Sequence, residues 1–319
     1  MRRRLALLAF AGAWLASRPC PADEADDAFL YDPPSVEAPR LRNAQPRTTV
    51  YLDLAYGRSN DLSALPDIAG TAHGFRMAAG GTLKLGRFQL DLELPTGQVT
   101  TLDLVNPNPV FEIDPGDKHQ TEISLGDSRM GAQWTDVLAP DTVGLVAGLG
   151  LGVRIPTHTT RYTFHLVDGS PGLYVLPYYF HIQPTLILGE ALGPVSLLMN
   201  QSVLMLIGPN GQVADVPVIT PTLYFWDAQY GISARATDGF GLSCVLNTTF
   251  QINKLDEVIF PNLNRVRSVY LVPGAQLHVG AYRIDLIGRI GLTRGAEQLG
   301  VLTFQGTDSV TVRVTRIFD

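Results

Sequence analysis

Residues 310–315, close to the C-terminus, read VTVRVT. Every second residue is apolar and the others are polar, which is the period of a β-strand with one dry face and one wet face. Residues 90–94 read LDLEL and repeat the pattern with carboxylates as the polar partners. Residues 240–252 and 282–293 follow it as well. Because the alternation continues from about residue 48 to the end of the chain, the sequence predicts an all-β protein.

Twelve alternating segments can be marked along the chain, and the connections between them alternate in length. The tight connections lie near 86, 137–141, 189–192, 237–238 and 280, and the remaining ones are long. An antiparallel barrel with short turns at one rim and long loops at the other has this rhythm. We therefore predict an antiparallel up-and-down transmembrane β-barrel of about 12 strands, within a range of about 10–14. The predicted strands lie near 48–58, 73–85, 87–97, 121–136, 142–155, 174–188, 193–207, 217–236, 239–253, 267–279, 281–293 and 308–318.

The composition agrees with this class of protein. Hydrophobic residues make up 45% of the 319 residues and charged residues only 17%, against about 25% in a typical soluble domain. The 31 Gly and 22 Pro are spread along the chain, which argues against a helical bundle. A formal charge of −6 excludes the basic footprint of a nucleic-acid-binding protein. With 6 His and 2 Cys there is little room for a metal centre or a disulfide framework.

The N-terminus has the pattern of a secretory signal. Three arginines precede an apolar run over residues 5–16, and the run breaks at residues 17–22. We predict a signal peptide over 1–22, an acidic, Pro-rich periplasmic segment over 23–47 and an outer-membrane β-barrel over 48–319. An uncleaved anchor, a buried helix and a lipoprotein signal through Cys20 are the other interpretations of the first segment. The predicted location is the outer membrane of a Gram-negative bacterium, reached through the periplasm.

Aromatic residues form two clusters along the predicted strands. A tilted strand crosses the apolar band of an outer membrane in about 9–11 residues, and aromatic girdles lie at both rims. A general preference of aromatic residues for strands would explain their presence but not this spacing. We therefore predict two girdles in contact with outer-membrane lipid. The girdle residues are Phe88, Trp134, Phe240, Tyr282 and Phe318 near the short turns or the C-terminus, and Phe180, Trp226 and Phe250 about ten residues away.

The polar residues of the alternating strands are predicted to point into the lumen, because the outward face of a barrel in lipid must be apolar. Acidic and basic side chains are nearly balanced among them, which predicts weak ion selectivity at most. They either line a pore or pair with one another and hold the barrel together, and the sequence leaves both interpretations open. The predicted lumen-lining residues are Asp53, Arg76, Asp91, Glu93, Asp127, Arg129, Arg154, Asp227, Arg235, Arg283, Asp285, Arg289 and Arg313.

Two neighbouring strands carry a more specific pattern. Residues 125–131 read LGDSRMG, and residues 148–157 read GLGLGVRIPT. A Gly-Asp-x-x-x-Gly strand followed by a Gly-Leu-Gly strand that ends in Pro-Thr resembles the outer-membrane family named after the meta-pathway of phenol degradation. The resemblance covers about residues 121–158, with a similar LPTG at residues 94–97. It implies a β-barrel transporter or channel, a loose link to the uptake of aromatic compounds, no cofactor and no known catalytic residues.

Enzyme signatures are missing from the sequence. It contains neither an H-E-x-x-H nor a G-x-S-x-G motif, and no His has a second His or a Cys at metal-ligand spacing. His181 and His278 fall on the lumen-facing parity and are interpreted as polar wall residues rather than as catalysts. We therefore predict that the protein is not an enzyme and that it holds neither a metal nor a cofactor.

Taken together, these patterns predict an outer-membrane channel or transporter for small solutes, with a narrow or partly plugged pore. Barrels of eight strands are filled by side chains and barrels of 16–18 strands hold open channels, and twelve lies between. Residues 23–47 are a candidate plug. The alternative is a non-conducting structural or assembly barrel that docks a partner through its long loops or N-terminal segment. The predicted partners are a small-molecule solute, which the sequence does not identify, and the barrel-assembly machinery, which reads a terminal Phe close to the position of Phe318.

Overall fold

The computed structural model describes most of the predicted barrel. The predicted signal peptide (1–22) and N-terminal segment (23–47) lie outside the described residues. Within the described part of the chain, no helix is long and apolar enough to cross a bilayer. The described residues are 48–59, 69–105, 119–125, 127–139, 145–156, 161–165, 171–175, 179–192, 195–208, 211–213, 216–218, 222–237, 239–254, 266–293 and 308–318.

One antiparallel sheet closes on itself, because its first and last strands pair along their whole length. Two of the strands share one position in the wall, so the barrel has twelve strand positions. This confirms the predicted all-β antiparallel barrel. The wall strands are β1 (Thr48–Ser59), β2 (Ala69–Leu85), β3 (Phe88–Val105), β4 (His119–Ser124), β5 (Ser128–Ala139), β6 (Leu145–Ile155), β9 (Phe180–Leu192), β10 (Val195–Ile207), β13 (Leu223–Thr237), β14 (Phe240–Gln251), β15 (Arg267–Val279), β16 (Tyr282–Gly291) and β17 (Asp308–Phe318).

The shared position belongs to β4 and β5, which both pair with β3. Residues of β5 pair with the start of β3, and residues of β4 pair with its second half. Opposite this interruption the register of β2 shifts between Met77 and Ala78, which face Gly97 and Pro95. Thr96 is therefore an extra residue of β3, as in a β-bulge.

Burial alternates along the strands and separates two faces of the wall. On β17, Ser309, Thr311, Arg313 and Thr315 are buried, whereas the intervening Val310, Val312 and Val314 are 42–51% exposed. The apolar residues thus face outward and the polar residues face the barrel interior. This is the inverse of a soluble sandwich, in which the apolar face is buried.

Two short turns depend on glycine. Gly86 and Gly280 have φ angles of 65° and 59°, in the left-handed region that residues with a Cβ seldom adopt. Each lies in a two-residue connection, since Leu85 pairs with Phe88 and Val279 pairs with Tyr282. Glycine at these positions lets the chain reverse direction at once, as expected for the short-turn rim.

The strand boundaries differ from the prediction at the long-loop rim. β9 begins at Phe180 instead of near 174, because β8 (Pro171–Val175) pairs with β7 (Arg161–His165) as a separate hairpin. β13 likewise begins at Leu223 instead of near 217, because β12 (Val216–Val218) pairs with β11 (Gly211–Val213). Alternation predicts that a segment is a strand, but it does not reveal the strand with which that segment pairs.

Candidate functional site in the barrel interior

The first and last strands are joined inside the barrel by a bidentate ion pair. Asp53 on β1 and Arg313 on β17 are direct partners in the register. The Arg313 Nε donates to Asp53 Oδ1 at 2.6 Å and its Nη2 donates to Oδ2 at 2.8 Å. The guanidinium carbon also lies 4.7 Å from the ring centre of Tyr51. Because a planar guanidinium matches both carboxylate oxygens at once, this pair stabilises the register in which the barrel closes.

The pairing continues on β16. Arg283 Nε donates to Asp285 Oδ2 at 3.0 Å, and the Asp285 side chain is fully buried. Asp285 is the register partner of Arg313. Arg313 therefore has a carboxylate-bearing register partner on each of the two strands beside β17.

In the other direction Tyr51 connects the seam to a second cluster. Its hydroxyl donates to Glu93 Oε2 at 3.1 Å, and Glu93 Oε1 lies 3.0 Å from Arg76 Nη2 and 3.3 Å from Arg129 Nη1. One carboxylate thus joins β1, β2, β3 and β5.

A separate ion pair joins Arg154 on β6 to Asp127, and Arg154 is the register partner of Arg129. We call the whole set the charged wall. It is formed by Tyr51, Asp53, Arg76, Glu93, Asp127, Arg129, Arg154, Arg283, Asp285 and Arg313.

A glycine makes room for the connecting tyrosine. Gly80 on β2 is the register partner of Tyr51, and a Cβ at this position would overlap the Tyr51 hydroxyl and lie 2.7 Å from the Leu92 carbonyl oxygen. The tyrosine ring therefore lies across the space that a side chain would fill. This close approach explains a glycine in the middle of a strand, where it is otherwise destabilising.

On the opposite side of the interior, a buried carboxylate is surrounded by neutral hydrogen-bond donors. Asp227 on β13 accepts hydrogen bonds from Thr249 Oγ1 at 2.7 Å and from Gln183 and Gln229 Nε2 at 3.2 Å each. The Ser202 hydroxyl also donates to Asp227, at 3.4 Å, and is bonded to Gln183. Thr249 Oγ1 lies 3.1 Å from Asn247 Oδ1.

We call this second set the amide–hydroxyl wall. Its residues come from β9, β10, β13 and β14, and all of them are buried. Here several neutral donors stabilise one carboxylate by hydrogen bonds. On the charged wall, guanidinium groups stabilise the carboxylates instead. The set consists of Gln183, Ser202, Asp227, Gln229, Asn247 and Thr249.

The interior also contains an apolar patch that the sequence prediction missed. Leu204 and Leu206 on β10 and Leu223 and Phe225 on β13 point inward beyond Asp227, toward the long-loop rim, and all four are buried. The prediction assigned polar residues to the lumen face throughout. The available signal was a local loss of alternation, because residues 203–207 read VLMLI and are apolar on both parities.

The structure places all thirteen predicted lumen-lining residues at buried or partly buried positions. Nine of them are less than a tenth exposed, and Arg76, Asp91, Asp127 and Arg235 are partly buried. Whether they line an open pore remains a prediction.

Some of these residues lie apart from the two walls. The guanidinium carbon of Arg289 lies 3.8 Å from the ring centre of Tyr270, and Asp91 accepts a hydrogen bond from Gln89 at 2.6 Å. His181 is buried at the inner surface of β9. In the described residues, no group of three His, Cys, Asp or Glu is placed to hold a metal ion.

The predicted girdle residues lie on the outer face. Phe88 and Trp134 are register partners at the short-turn rim, and Trp226 and Phe250 are partners toward the long-loop rim. Six of the eight are 37–56% exposed, and Trp134 and Phe180 are partly buried. Their contact with lipid stays a prediction. The six exposed ones are Phe88, Trp226, Phe240, Phe250, Tyr282 and Phe318.

Comparison with known proteins identifies the fold but no family. No protein-family model matches the chain, and no curated protein sequence matches it significantly. The resemblance of residues 121–158 to the phenol-pathway family therefore stays a hypothesis.

Several solved barrels superpose on most of the chain. An outer-membrane channel from Pseudomonas putida F1 is 10% identical, with 90% of this chain and 98% of that chain covered and a TM-score of 0.53. The translocator domain of the autotransporter NalP from Neisseria meningitidis is 13% identical, with coverages of 87% and 91% and a TM-score of 0.55. The transport unit of the autotransporter AIDA-I from Escherichia coli is 10% identical, with coverages of 93% and 97% and a TM-score of 0.53. The chain therefore has the fold of the outer-membrane β-barrels.

Proposed function

We propose that this chain is an outer-membrane channel that passes small solutes through a narrow lumen with weak ion selectivity. The observation that carries the proposal is the closed barrel whose outer face is apolar and whose inner face is polar and charged. That distribution suits a bilayer outside and hydrated or polar contents inside. The balance between acidic and basic residues on the charged wall supports weak selectivity, because the field of each guanidinium is offset by a nearby carboxylate.

The narrowness of the lumen is supported by burial. In a wide water-filled barrel the inner side chains would be exposed, but Asp53, Asp285 and Arg289 are each no more than 2% exposed. Twelve strands enclose more space than the eight whose interior side chains alone can fill. We therefore propose a lumen that is constricted by the walls, with residues 23–47 as an additional plug.

Planar-bilayer conductance tests this proposal. The purified chain should give small, discrete conductance steps with little preference for cations or anions, and deletion of residues 23–47 should enlarge the steps. Migration on SDS gels with and without boiling serves as the folding control, because a folded barrel migrates as a compact species until it is heated. A compact barrel that conducts no ions, with or without residues 23–47, would contradict a channel.

A second function is favoured by the extent of the charged wall. The charged wall spans seven strands, and several of its groups are almost fully buried. Such a network suits a structural or assembly barrel that docks a partner. In that case a paired replacement such as Arg283→Met with Asp285→Leu should change the unfolding midpoint without creating or abolishing conductance. In a channel, the same replacement should alter the conductance steps.

We also infer an outer-membrane location and a relationship to the phenol-pathway family. Support for the relationship comes from the two motif segments, because Asp127 of the Gly-Asp segment forms an ion pair with Arg154 of the Gly-Leu-Gly segment. Their strands β5 and β6 are neighbours in the wall, so the two segments form one structural unit. Fractionation of a Gram-negative host that expresses the chain tests the location, and recovery in the inner membrane or cytoplasm would contradict it.

A further inference from the structure

The outer face is apolar at middle depth on strands from around the barrel. The residue six positions from the short-turn end is Leu54 on β1, Leu94 on β3, Leu246 on β14 and Val312 on β17, each 39–55% exposed. Aliphatic side chains at this depth suit the hydrocarbon of a bilayer. On β10 the equivalent residue is Gln201. An amide at this depth is therefore the exception that needs a physical reason.

Gln201 points outward, because its neighbours Asn200 and Ser202 are both buried in the interior. Its Nε2 donates to the hydroxyl of Tyr230 on β13 at 3.1 Å, and Tyr230 is 47% exposed. In the described part of the chain this is the one hydrogen bond of the Gln201 side chain. We call Gln201 and Tyr230 the outer polar patch.

The patch lies near the middle of the bilayer. Gln201 is six residues from Val195 and six from Ile207, the two ends of β10. At about 3.3 Å per residue and a tilt of about 45°, each end is about 14 Å away along the membrane normal. The apolar band of an outer membrane is about 25 Å tall. Neither end is therefore close enough for the amide to reach water through its own strand.

An amide in hydrocarbon has hydrogen-bonding capacity that lipid cannot satisfy. A glutamine amide carries two N–H donors and an oxygen acceptor with two lone pairs. The Tyr230 hydroxyl accepts a hydrogen bond from one of the two N–H groups of Gln201. Between transmembrane helices, side chains of this kind hydrogen-bond across the protein contact, because an acyl chain offers no hydrogen-bonding partner. The outer polar patch thus has the chemistry of a protein contact.

We propose that two copies of this chain associate side by side in the membrane through the outer polar patch. Across a two-fold axis, Gln201 of one copy would face Gln201 of the other. Two amides are self-complementary, because each can donate an N–H to the oxygen of the other. A C2 interface requires self-complementarity of this kind. This association requires the barrel to lie in a membrane but does not require it to conduct, so it goes beyond the proposed function.

The test measures the mass of the full chain in mild detergent by light scattering and native mass spectrometry. We expect the unaltered chain to form a dimer and Gln201→Leu to give a single chain with unchanged heat-modifiable migration. Tyr230→Phe, which removes the hydroxyl but keeps the ring, should weaken association by about tenfold, because the Gln201 amide loses the hydrogen bond that orients it. Leu54→Gln, an amide at the same depth on β1, is the matched control and should not alter the behaviour of the dimer.

Cross-linking keeps the proposal testable if Gln201→Leu fails to fold. In a background with Cys20→Ser and Cys244→Ser, Val203→Cys lies beside the patch and Leu54→Cys lies on another wall. A short bis-maleimide should link two copies of the first variant in membranes but not of the second. A single-chain mass together with no link at residue 203 would overturn the proposal. Equal links at both positions, or a link at 203 to a different protein, would overturn it as well.

Discussion

The charged wall and the amide–hydroxyl wall both bury carboxylates, but they neutralise them differently. On the charged wall, the Asp53 carboxylate accepts two hydrogen bonds from the guanidinium of Arg313. On the amide–hydroxyl wall, Asp227 accepts hydrogen bonds from four neutral side chains. Loss of the Arg313 guanidinium removes the counter-charge of the buried Asp53 carboxylate. Loss of one neutral donor to Asp227, in contrast, leaves the other three in place. Two carboxylates that are buried to a similar extent can therefore differ in how strongly the loss of one partner destabilises the protein.

The largest effect is expected at the seam. Arg313→Met should lower the free energy of unfolding by about 3–5 kcal/mol, because it leaves Asp53 buried without its counter-charge. The measurement is urea unfolding in lipid vesicles. Asp53→Leu combined with Arg313→Met should recover most of the loss, since an apolar pair carries no stranded charge. If the double variant is no more stable than the single variant, the pairing explanation is wrong.

The next effect concerns the contact that connects the two clusters of the charged wall. Gly80→Ala should cost about 1–3 kcal/mol, because its Cβ would displace Tyr51 and disturb the hydrogen bond to Glu93. Gly97→Ala on β3 is the matched control, because a Cβ there meets no atom within 4 Å. The same unfolding measurement applies. Equal effects of the two alanines would remove the steric argument.

A direct comparison of the walls uses one substitution on each. Asp227→Asn should cost about 1–2 kcal/mol, because an amide oxygen still accepts from Thr249 and the glutamines, though without charge assistance. Asp53→Asn should cost more, because it leaves the Arg313 guanidinium without its bidentate partner. Unfolding midpoints of the two variants in one lipid decide the matter. A larger loss for Asp227→Asn would reverse the ranking of the walls.

The smallest effect is expected for a single neutral donor. Thr249→Val keeps the shape of the side chain and removes the 2.7 Å hydrogen bond to Asp227, which should cost about 0.5–1.5 kcal/mol. Thr248→Val is the adjacent control on the outer parity, where loss of the longer bond to the Ala228 carbonyl at 3.4 Å should cost less. A loss at residue 249 as large as that of Arg313→Met would show that the amide–hydroxyl wall is no more tolerant.

The sequence was sufficient to predict the barrel because lipid and lumen impose opposite requirements on neighbouring residues. At residues 310–315 and 90–94 the side chains alternate between the two environments, and the structure follows this alternation. Where residues of both parities are apolar, as at residues 203–207, the pattern no longer shows which side chains face the lipid and which face the lumen. The inward position of Leu204 and Leu206 could therefore not be predicted from hydropathy alone.

The partners within the interior were also beyond the sequence. Asp53 and Arg313 are separated by 260 positions, so no local turn sets their register. Asp227 and Thr249 face each other because β13 and β14 pair in one particular register, which includes a shift between Arg235 and Thr237. Alternation identified these residues as inward-facing polar groups, but the register decides whether each meets a guanidinium, an amide or a hydroxyl.

The ion pair at the seam has a consequence for how the barrel is completed. Asp53 belongs to the first wall strand and Arg313 to the last, so Asp53 remains without this counter-charge until β17 arrives. An unclosed intermediate combines a carboxylate that lacks this guanidinium with two unpaired strand edges, which are prone to mispairing. A chain truncated before residue 313 could not remove either liability. Closure of the barrel therefore stabilises only those molecules in which both terminal strands are present and paired.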